Sequence, residues 1–340
     1  MKAYLEKLLA GESLSQNEAF DAFNIIMSGE AAPSLIAGFL VALRMKGESV
    51  EEVAGGAQSM RSHALQIDVQ GAGDLPIIDV VGTGGDGLHT FNVSTTAAFV
   101  AAGAGLKVAK HGNRAISSKS GAADVLGALG VNLDAGPETV ERCIREAGVG
   151  FLFAPKHHPA MKHAMGPRKE LGIRTIFNML GPLTNPANAP RQLIGVFAPE
   201  LTELFAGVLQ RLGGEVAWIV HGYDGMDELT TTTKSVVSEL RGGQISTFEL
   251  DPALLVGALA QPADLAGGDA ETNAAITRAV LSGAPGPTRD IVCLNAAAAI
   301  LVGGIAGDIE EGWTLACESI DSGKASAALE ALVRITQEAS

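Results

Sequence analysis

The sequence predicts an α/β fold: a large domain built on a mostly parallel sheet, joined to a small all-helical domain. Three observations carry that expectation. Short apolar runs alternate with helical stretches from Leu75 onward. The first of these runs ends in a glycine-rich turn, as strands of parallel sheets do where they lead into helices. Before Leu75 no strand-like alternation occurs, and capping signals mark helices instead.

Taken in order, Ser15 and Glu18 form a capping box ahead of Ala19-Phe20 and Phe23-Asn24-Ile25-Ile26. Pro33 opens a second apolar helix that Lys46-Gly47 closes, and Ser49 with Glu52 caps a third. Leu75–Val81 reads as a buried strand ending in Gly82-Thr83-Gly84-Gly85-Asp86-Gly87. Further strands are expected at Leu106–Ala109, Val149–Ala154, Gln192–Ala198 and Glu215–His221, separated by helices such as Glu138–Ala147 and Glu200–Leu212. Ser235–Leu240 and Ile245–Leu250, joined by Arg241-Gly242-Gly243-Gln244, predict an antiparallel hairpin at a sheet edge. His157–Asn188 breaks the rhythm, with helix-like Met161–Met165 and Arg168–Leu171 before Gly-Pro and Asn-Pro turns. The residues fit either a long functional loop or helices that return to the first unit.

Composition removes several classes of function. In 340 residues, 47% hydrophobic and 18% charged, a disordered or fibrous chain is excluded. Lys+Arg 24 against Asp+Glu 38 gives a net charge of −14, which argues against a nucleic-acid or anionic-membrane surface. An anionic substrate would need a local cationic pocket or a metal ion held by carboxylates. With aromatics at 4%, few rings are left for stacking bases. Cys143, Cys293 and Cys317 lack CxxC or Cys/His metal spacing and read as reduced thiols of a cytosolic protein. The N-terminus has no signal-peptide core. The most apolar stretch, Ala296–Ala306, is about half the ~20 residues of a membrane span and predicts a buried Ala-rich helix.

Four constellations carry chemistry. Gly82–Gly87, with Asn92-Val93-Ser94-Thr95 beyond, can offer backbone amides and a helix N-terminus to phosphate, or be only a tight turn. It matches neither a Walker A nor a GxGxxG pattern. Lys107–Gly121 places four cations and three serines in fifteen residues, following a strand and preceding the helix Ala122–Leu129. That run is a cationic pocket at a sheet edge or a solvated basic loop. Asp227-Glu228, in a turn after a strand, can chelate a hard divalent cation or be a polar turn. Arg168, read near the start of a short helix, can fork a planar carboxylate or pair with a glutamate on its own helix. His157 and His158 read as helix-entry residues rather than a metal pair, because adjacent side chains point apart.

Together these segments resemble the anthranilate phosphoribosyltransferases of tryptophan biosynthesis. The matching signatures are GTGGD (82–86), NVST (92–95), KHGNRAISSKSG (110–121), GPRKELGIRTIFNMLGPLTNP (166–186) and DGMDEL (224–229). The resemblance implies a helical domain of residues 1–70 with 164–188, an α/β domain of 71–163 with 189–340, and an active-site cleft at the hinge. It implies a cytoplasmic homodimer paired through the helical domain. The implied reaction moves 5-phosphoribosyl from phosphoribosyl pyrophosphate (PRPP) to the amino group of anthranilate, releasing pyrophosphate.

Carried over, the PRPP site is Gly82, Gly85, Asp86, Thr90, Asn92, Val93, Ser94, Thr95, Lys110, His111, Gly112, Asn113, Arg114, Ala115, Ile116, Ser117, Ser118 and Ala122. Ala122 stands where the family often has serine. The anthranilate path is Gly82, His111, Asn113, His158 and Arg168, with Arg168 receiving the carboxylate. Ser94, Asp227 and Glu228 match ligands of a pair of Mg²⁺ ions, and Lys110, Asp227 and Glu228 the catalytic groups. A transition state with oxocarbenium character sheds negative charge onto pyrophosphate, which Mg²⁺ and Lys110 suit. The aromatic amine is neutral at pH 7 and needs positioning more than a base. Two other readings are a pyrimidine nucleoside phosphorylase of the same fold, which needs neither the acid pair nor the arginine, and a non-catalytic nucleic-acid-binding relative.

Overall fold

A computed structural model describes residues 1–69, 76–115 and 119–338. Seven strands form one sheet in the order β3-β2-β1-β4-β5-β6-β7. They are β1 (Ile78–Gly82), β2 (Val108–Gly112), β3 (Val149–Phe153), β4 (Arg191–Gly195), β5 (Val216–Gly222), β6 (Ser235–Arg241) and β7 (Gln244–Leu250). The first five run parallel, while β6 and β7 are the expected antiparallel hairpin at the edge. Gly242 and Gly243 take φ of 58° and 72°, the left-handed pair that a two-residue hairpin turn demands.

Both faces of the sheet are covered, so its central strands are apolar on both sides. On one face Ile78, Val80, Val108, Leu193 and Val220 join a core with the helices Val93–Gly103, Ala270–Leu281, Pro287–Gly303, Ile309–Asp321 and Lys324–Glu338. The expected Ala-rich helix is the buried Pro287–Gly303, and its alanines let neighbouring helices approach closely. On the other face Val81, Ile194, Val196 and Ile219 pack with the helix Leu201–Arg211 and the N-terminal helices. No helix among the described residues is long and apolar enough to cross a membrane.

The N-terminal helices are Lys2–Leu9, Gln16–Met27, Pro33–Lys46 and Val50–Ser62, and both predicted capping boxes form. The second box does more than cap. Glu52, with no exposed surface, accepts hydrogen bonds from the amides of Leu14 (3.0 Å) and Ser49 (2.8 Å) and from Lys46 Nζ (2.8 Å). A buried carboxylate supplied with that many donors ties two interhelical connections to one helix end.

The irregular stretch resolves into helices. Lys162–Leu171 is a single helix with Pro167 inside it, where two short pieces were expected. Arg168 therefore sits in its last turn rather than near a helix start. A proline ring clashes with the preceding turn, so it reads from sequence as a break, and here tertiary packing carries the helix through it. Ala164, Ile176, Met179, Leu180 and Leu183 enter the core of the N-terminal helices, and Phe177 packs edge-on against Phe23 at 5.6 Å.

One strand is displaced from its expected place. The run Leu106–Ala109 gives way to Val108–Gly112, which makes Lys110 and His111 strand residues instead of loop residues. Their backbones pair with Phe151 and Leu152 of β3. Pairing with β3 overrides the weak strand preference of lysine. At 3% and 4% exposure, neither belongs to a solvated loop.

Candidate active site

The connectivity reverses at the β1/β4 border: the chain moves outward from β1 to β2 and β3, then returns to β4 on the other side. Such a switch point opens a crevice beyond the C-terminal strand ends. Gly82 and Gly195 are paired there as the last residues of β1 and β4. Asp227 and Glu228, from the segment after β5, lie across both. A Cβ on Gly82 would come within 2.6 Å of Asp227 Oδ2, and one on Gly195 would overlap the Asp227 carbonyl oxygen. Two strand ends must be glycine for the acid pair to reach the crevice. Gly195 lies in none of the predicted motifs.

The pair is held by the two phosphate-suited segments. Gly84 N donates to Asp227 Oδ2 at 2.6 Å, from a loop whose Gly84 and Gly85 adopt φ of 66° and 81°. Ser94 N, in the first turn of the helix Val93–Gly103, donates to Glu228 Oε1 at 3.1 Å. Lys110 reaches the same place from β2, with Nζ 2.6 Å from the Val80 carbonyl and 3.3 Å from Ser94 Oγ. Gly82, Ser94, Lys110, Asp227 and Glu228 thus converge, although 145 positions separate Gly82 from Asp227 in the chain.

Burial governs the charges. It pushes the Asp227 carboxyl well above the usual carboxylate range, and Glu228 and Asp86 push the same way. Glu228 is pushed up to about 7 by burial, against the opposing pull of Lys110. Burial lowers the Lys110 ammonium while Asp79, Glu228 and Asp227 pull it back up. Asp79, fully buried on β1, is pushed up to about 6 by desolvation while its carboxylate accepts from His111 N at 3.1 Å. Two adjacent carboxyls short of compensating charge, with a hydroxyl beside them, are hard oxygen donors that fit Mg²⁺. Among the described residues no group of three His, Cys, Asp or Glu is arranged to hold a metal.

The remaining predicted residues fall into place around this centre. Gly85 and Asp86 belong to the loop, where Asp86 Oδ1 accepts from Leu88 N at 3.1 Å. Thr90 bridges to Ala266. Asn92 starts the helix, but its side chain is taken by Asn273, whose Nδ2 donates to Asn92 Oδ1 at 2.9 Å. Val93 and Thr95 are buried, which leaves their backbone rather than their side chains for a ligand. Gly112 ends β2 and Asn113, Arg114 and Ala115 form the turn beyond it. Asp124 organises that turn by accepting from Ala115 N and Gly121 N, both at 3.0 Å, and from Arg114 Nη1 at 2.9 Å. Ala122 opens the following helix. Ile116, Ser117 and Ser118 lie outside the described residues.

Toward the helical side, the rings of His111 and His158 stand 5.1 Å apart, and neither Nε2 has a hydrogen-bond partner. Burial holds His158 down to about 4 and His111 well below its usual range, so both rings are neutral. His157 is turned away, with Nδ1 2.7 Å from the Leu65 carbonyl, so the two histidines do not form a metal pair. Arg168 lies over the Phe177 ring at 5.1 Å and makes no ion pair among the described residues, which sets aside the expected alternative of an intrahelical glutamate partner. Arg174, in the same signature, stacks on Phe197 at 4.3 Å and donates to the Gly85 carbonyl, tying the segment after the helix Lys162–Leu171 to the glycine loop. Asp124 was missed although its spacing three residues after Gly121 is that of a capping box, whereas Asn273 carried no signal, since its partner Asn92 is reached only through folding.

Comparison with known proteins agrees with this arrangement. Residues 2–64 match the model of the glycosyl transferase family helical bundle domain, and residues 74–326 that of the same family's a/b domain. The chain is 55% identical over 340 residues to an anthranilate phosphoribosyltransferase of Acetivibrio thermocellus, covering 99% of this chain and 96% of the relative. It is 54% identical over 334 residues to that of Moorella thermoacetica, covering 98% and 97%. The solved anthranilate phosphoribosyltransferase of Thermus thermophilus superposes with a TM-score of 0.93 at 44% identity, covering 98% of this chain and 99% of that one. That of Saccharomyces cerevisiae, in complex with PRPP and Mg, superposes at 0.89 with 33% identity, covering 99% and 97%.

Proposed function

The chain belongs to the anthranilate phosphoribosyltransferase family, and from that premise we infer that it transfers the 5-phosphoribosyl group of PRPP to the amino group of anthranilate. The observation that carries this reading is the half-buried Asp227–Glu228 pair, bound to Gly84 N and Ser94 N at the sheet's switch point. Bound there by Asp227, Glu228 and the Ser94 hydroxyl, Mg²⁺ would neutralise charge on the pyrophosphate group. We place a pair of ions in each subunit.

The reaction breaks the bond from ribose C1 to the pyrophosphate oxygen, which keeps the electron pair, and forms a bond from C1 to the amine nitrogen, which then loses a proton. The Gly82–Gly87 loop amides that Asp227 leaves free, with the dipole at the N-terminus of the helix Val93–Gly103, would meet phosphate oxygens and supply donors without a charge penalty. Lys110, desolvated in β2, sets its ammonium beside Ser94 and Glu228, where charge on the leaving group grows. Asn113, Arg114, Ala115, Ile116, Ser117, Ser118 and Ala122 complete the PRPP side. On the anthranilate side, the neutral His111 and His158 rings offer flat apolar surface, and the unpaired Arg168 guanidinium suits a carboxylate. No nucleophile triad is needed.

The cleft falls between a helical domain of residues 1–70 with 164–188 and an α/β domain formed by the rest. The shared packing of Phe177, Ile176 and Leu180 with the N-terminal helices supports that division. The exposed Leu9 and Met45 on the helical domain support a homodimer paired through it, and the free thiols support a cytoplasmic location.

The test follows anthranilate fluorescence as PRPP and Mg²⁺ are added. Fluorescence falls with the parent protein and stays constant in chelator. Asp227→Asn with Glu228→Gln folds normally but turns over at least ~100-fold more slowly, as losing an electrostatic stabiliser does. Undiminished turnover by that double variant in chelator would refute the assignment.

A further inference from the structure

Asn295 lies on the helix Pro287–Gly303, outside every motif of the cleft, and is fully buried in an otherwise apolar run. An unpartnered amide there would be costly. Its capacity is instead directed at one residue. Oδ1 accepts from Leu229 N at 3.0 Å, Nδ2 donates to the Leu229 carbonyl at 2.8 Å, and the second proton goes to the Ile291 carbonyl at 2.9 Å. Leu229 directly follows Glu228. Gripping both the amide and the carbonyl of one residue fixes its orientation as well as its position. Asn295 supplies that grip from the helix layer, while Gly195 sets the approach from the sheet.

We propose that Asn295 is a positioning residue that aims the Glu228 carboxylate at the cation. The inference rests on the reading of Asp227 and Glu228 as cation ligands. Removing the amide orphans the buried amide and carbonyl of Leu229, directly beside Glu228, so the loss should act on the cation before it acts on anthranilate. Groups behind metal ligands typically change metal affinity about 10–100-fold when lost.

The experiment titrates Mn²⁺ by electron paramagnetic resonance into the full-length protein with PRPP present. Asn295→Ala deletes the grip. Asn295→Ser also releases Leu229 but can satisfy itself on the Ile291 carbonyl, so it guards against a folding failure. Both are expected to bind Mn²⁺ at least about tenfold more weakly and to need correspondingly more Mg²⁺ for activity, with the anthranilate KM within about twofold of the parent. A folded variant with parental Mn²⁺ affinity overturns the proposal, as does an equal rise in the anthranilate KM. Failure of the parent itself to bind Mn²⁺ would instead strike the ligand assignment.

A separate observation lies on the outer side of the same helix. Cys293 and Cys317, from the helices Pro287–Gly303 and Ile309–Asp321, bring their Sγ atoms to 3.8 Å. Arg289, one turn before Cys293, pairs with Asp321 at 2.8 Å, one turn after Cys317, which sets a guanidinium beside the thiols. We infer that hydrogen peroxide converts this pair to an intrachain disulfide, with Cys317 as the attacking thiol. Its sulfur attacks one peroxide oxygen, the O–O bond breaks and water leaves, giving a sulfenic acid. The Cys293 sulfur then displaces that oxygen as a second water, so two thiols and one peroxide yield a disulfide and two waters. Cys317 is half-buried, and Cys293 and Arg289 draw its thiol down to about 7; burial pushes the Cys143 thiol up to about 12.

Peroxide treatment of the folded protein should reduce three titratable thiols to one and lower the mass by two hydrogens. Cys293→Ser should accumulate a sulfenic acid at Cys317 that dimedone traps, and Cys317→Ser should keep its thiols. Oxidation of Cys143 before the pair, or a dimedone adduct on Cys293 in the parent, would overturn the inference.

Discussion

Replacing Gly195 by alanine tests how the cleft is built. The new Cβ would overlap the Asp227 carbonyl oxygen and stand 3.2 Å from Glu228 N. The obstacle is backbone, so no side-chain rotation relieves it. The acid-pair segment would have to retreat by more than ~1 Å, and displacement of that size at a reacting centre costs on the order of 100-fold in rate. The retreat also stretches the bonds from Gly84 N (2.6 Å) and Ser94 N (3.1 Å) to the two carboxylates. Each is a hydrogen bond worth about 1 kcal/mol to a neutral carboxyl and more to an ionised one. Because the buried Met226 and Leu229 anchor the segment, circular dichroism and Tm of the variant are measured alongside, and the rate comparison is made on folded protein. Steady-state kinetics by anthranilate fluorescence should show kcat/KM for PRPP reduced about 100-fold or more, with a raised Mg²⁺ requirement. Gly257→Ala is the control, since its Cβ would meet nothing within 4 Å. A Gly195→Ala enzyme within about threefold of the parent, at an unchanged Mg²⁺ requirement, would refute the steric argument.

Three further outcomes are expected. Lys110→Ala should cost about 100-fold in kcat/KM for PRPP, while Arg168→Ala should raise the anthranilate KM about 10-fold or more; equal effects on both substrates would contradict the division of the cleft. His158 is held near 4 against about 6.5 in an unfolded chain, so the unfolded state binds more protons between those values and stability rises with pH across that window. Acidification from 6.5 to 4 should remove roughly 3 kcal/mol through this residue, and His158→Asn should flatten that part of a Tm-against-pH curve; an unchanged slope would count against it. Ala122→Ser should tighten PRPP binding by less than about tenfold, near 1.4 kcal/mol, because water can fill a methyl-sized gap and supply the missing hydrogen bond. Weaker binding in calorimetry would show the site rebuilt around alanine.

The sequence by itself determined the local features. The capping boxes at Ser15 and Ser49, the strand into the Gly82–Gly87 loop and the hairpin turn at Gly242-Gly243 follow from hydrogen-bonding groups and φ preferences within a few residues of one another. The acid pair, the glycine loop and the basic run were each visible as well, though each alone fits an ordinary turn. Folding brings the three segments to one place. Pairing with β3 drew Lys110 and His111 out of an apparent loop into a buried strand, because sheet hydrogen bonds outweigh a lysine's intrinsic preference. Packing carried one helix through Pro167 and moved Arg168 to its end. Gly195, Asn273 and Asn295 carry no local signal because the partners that define their roles lie a whole element or more away. What selects those residues is the space left beneath Asp227 and the buried groups awaiting a hydrogen bond, and both exist only after the sheet and its helices have packed.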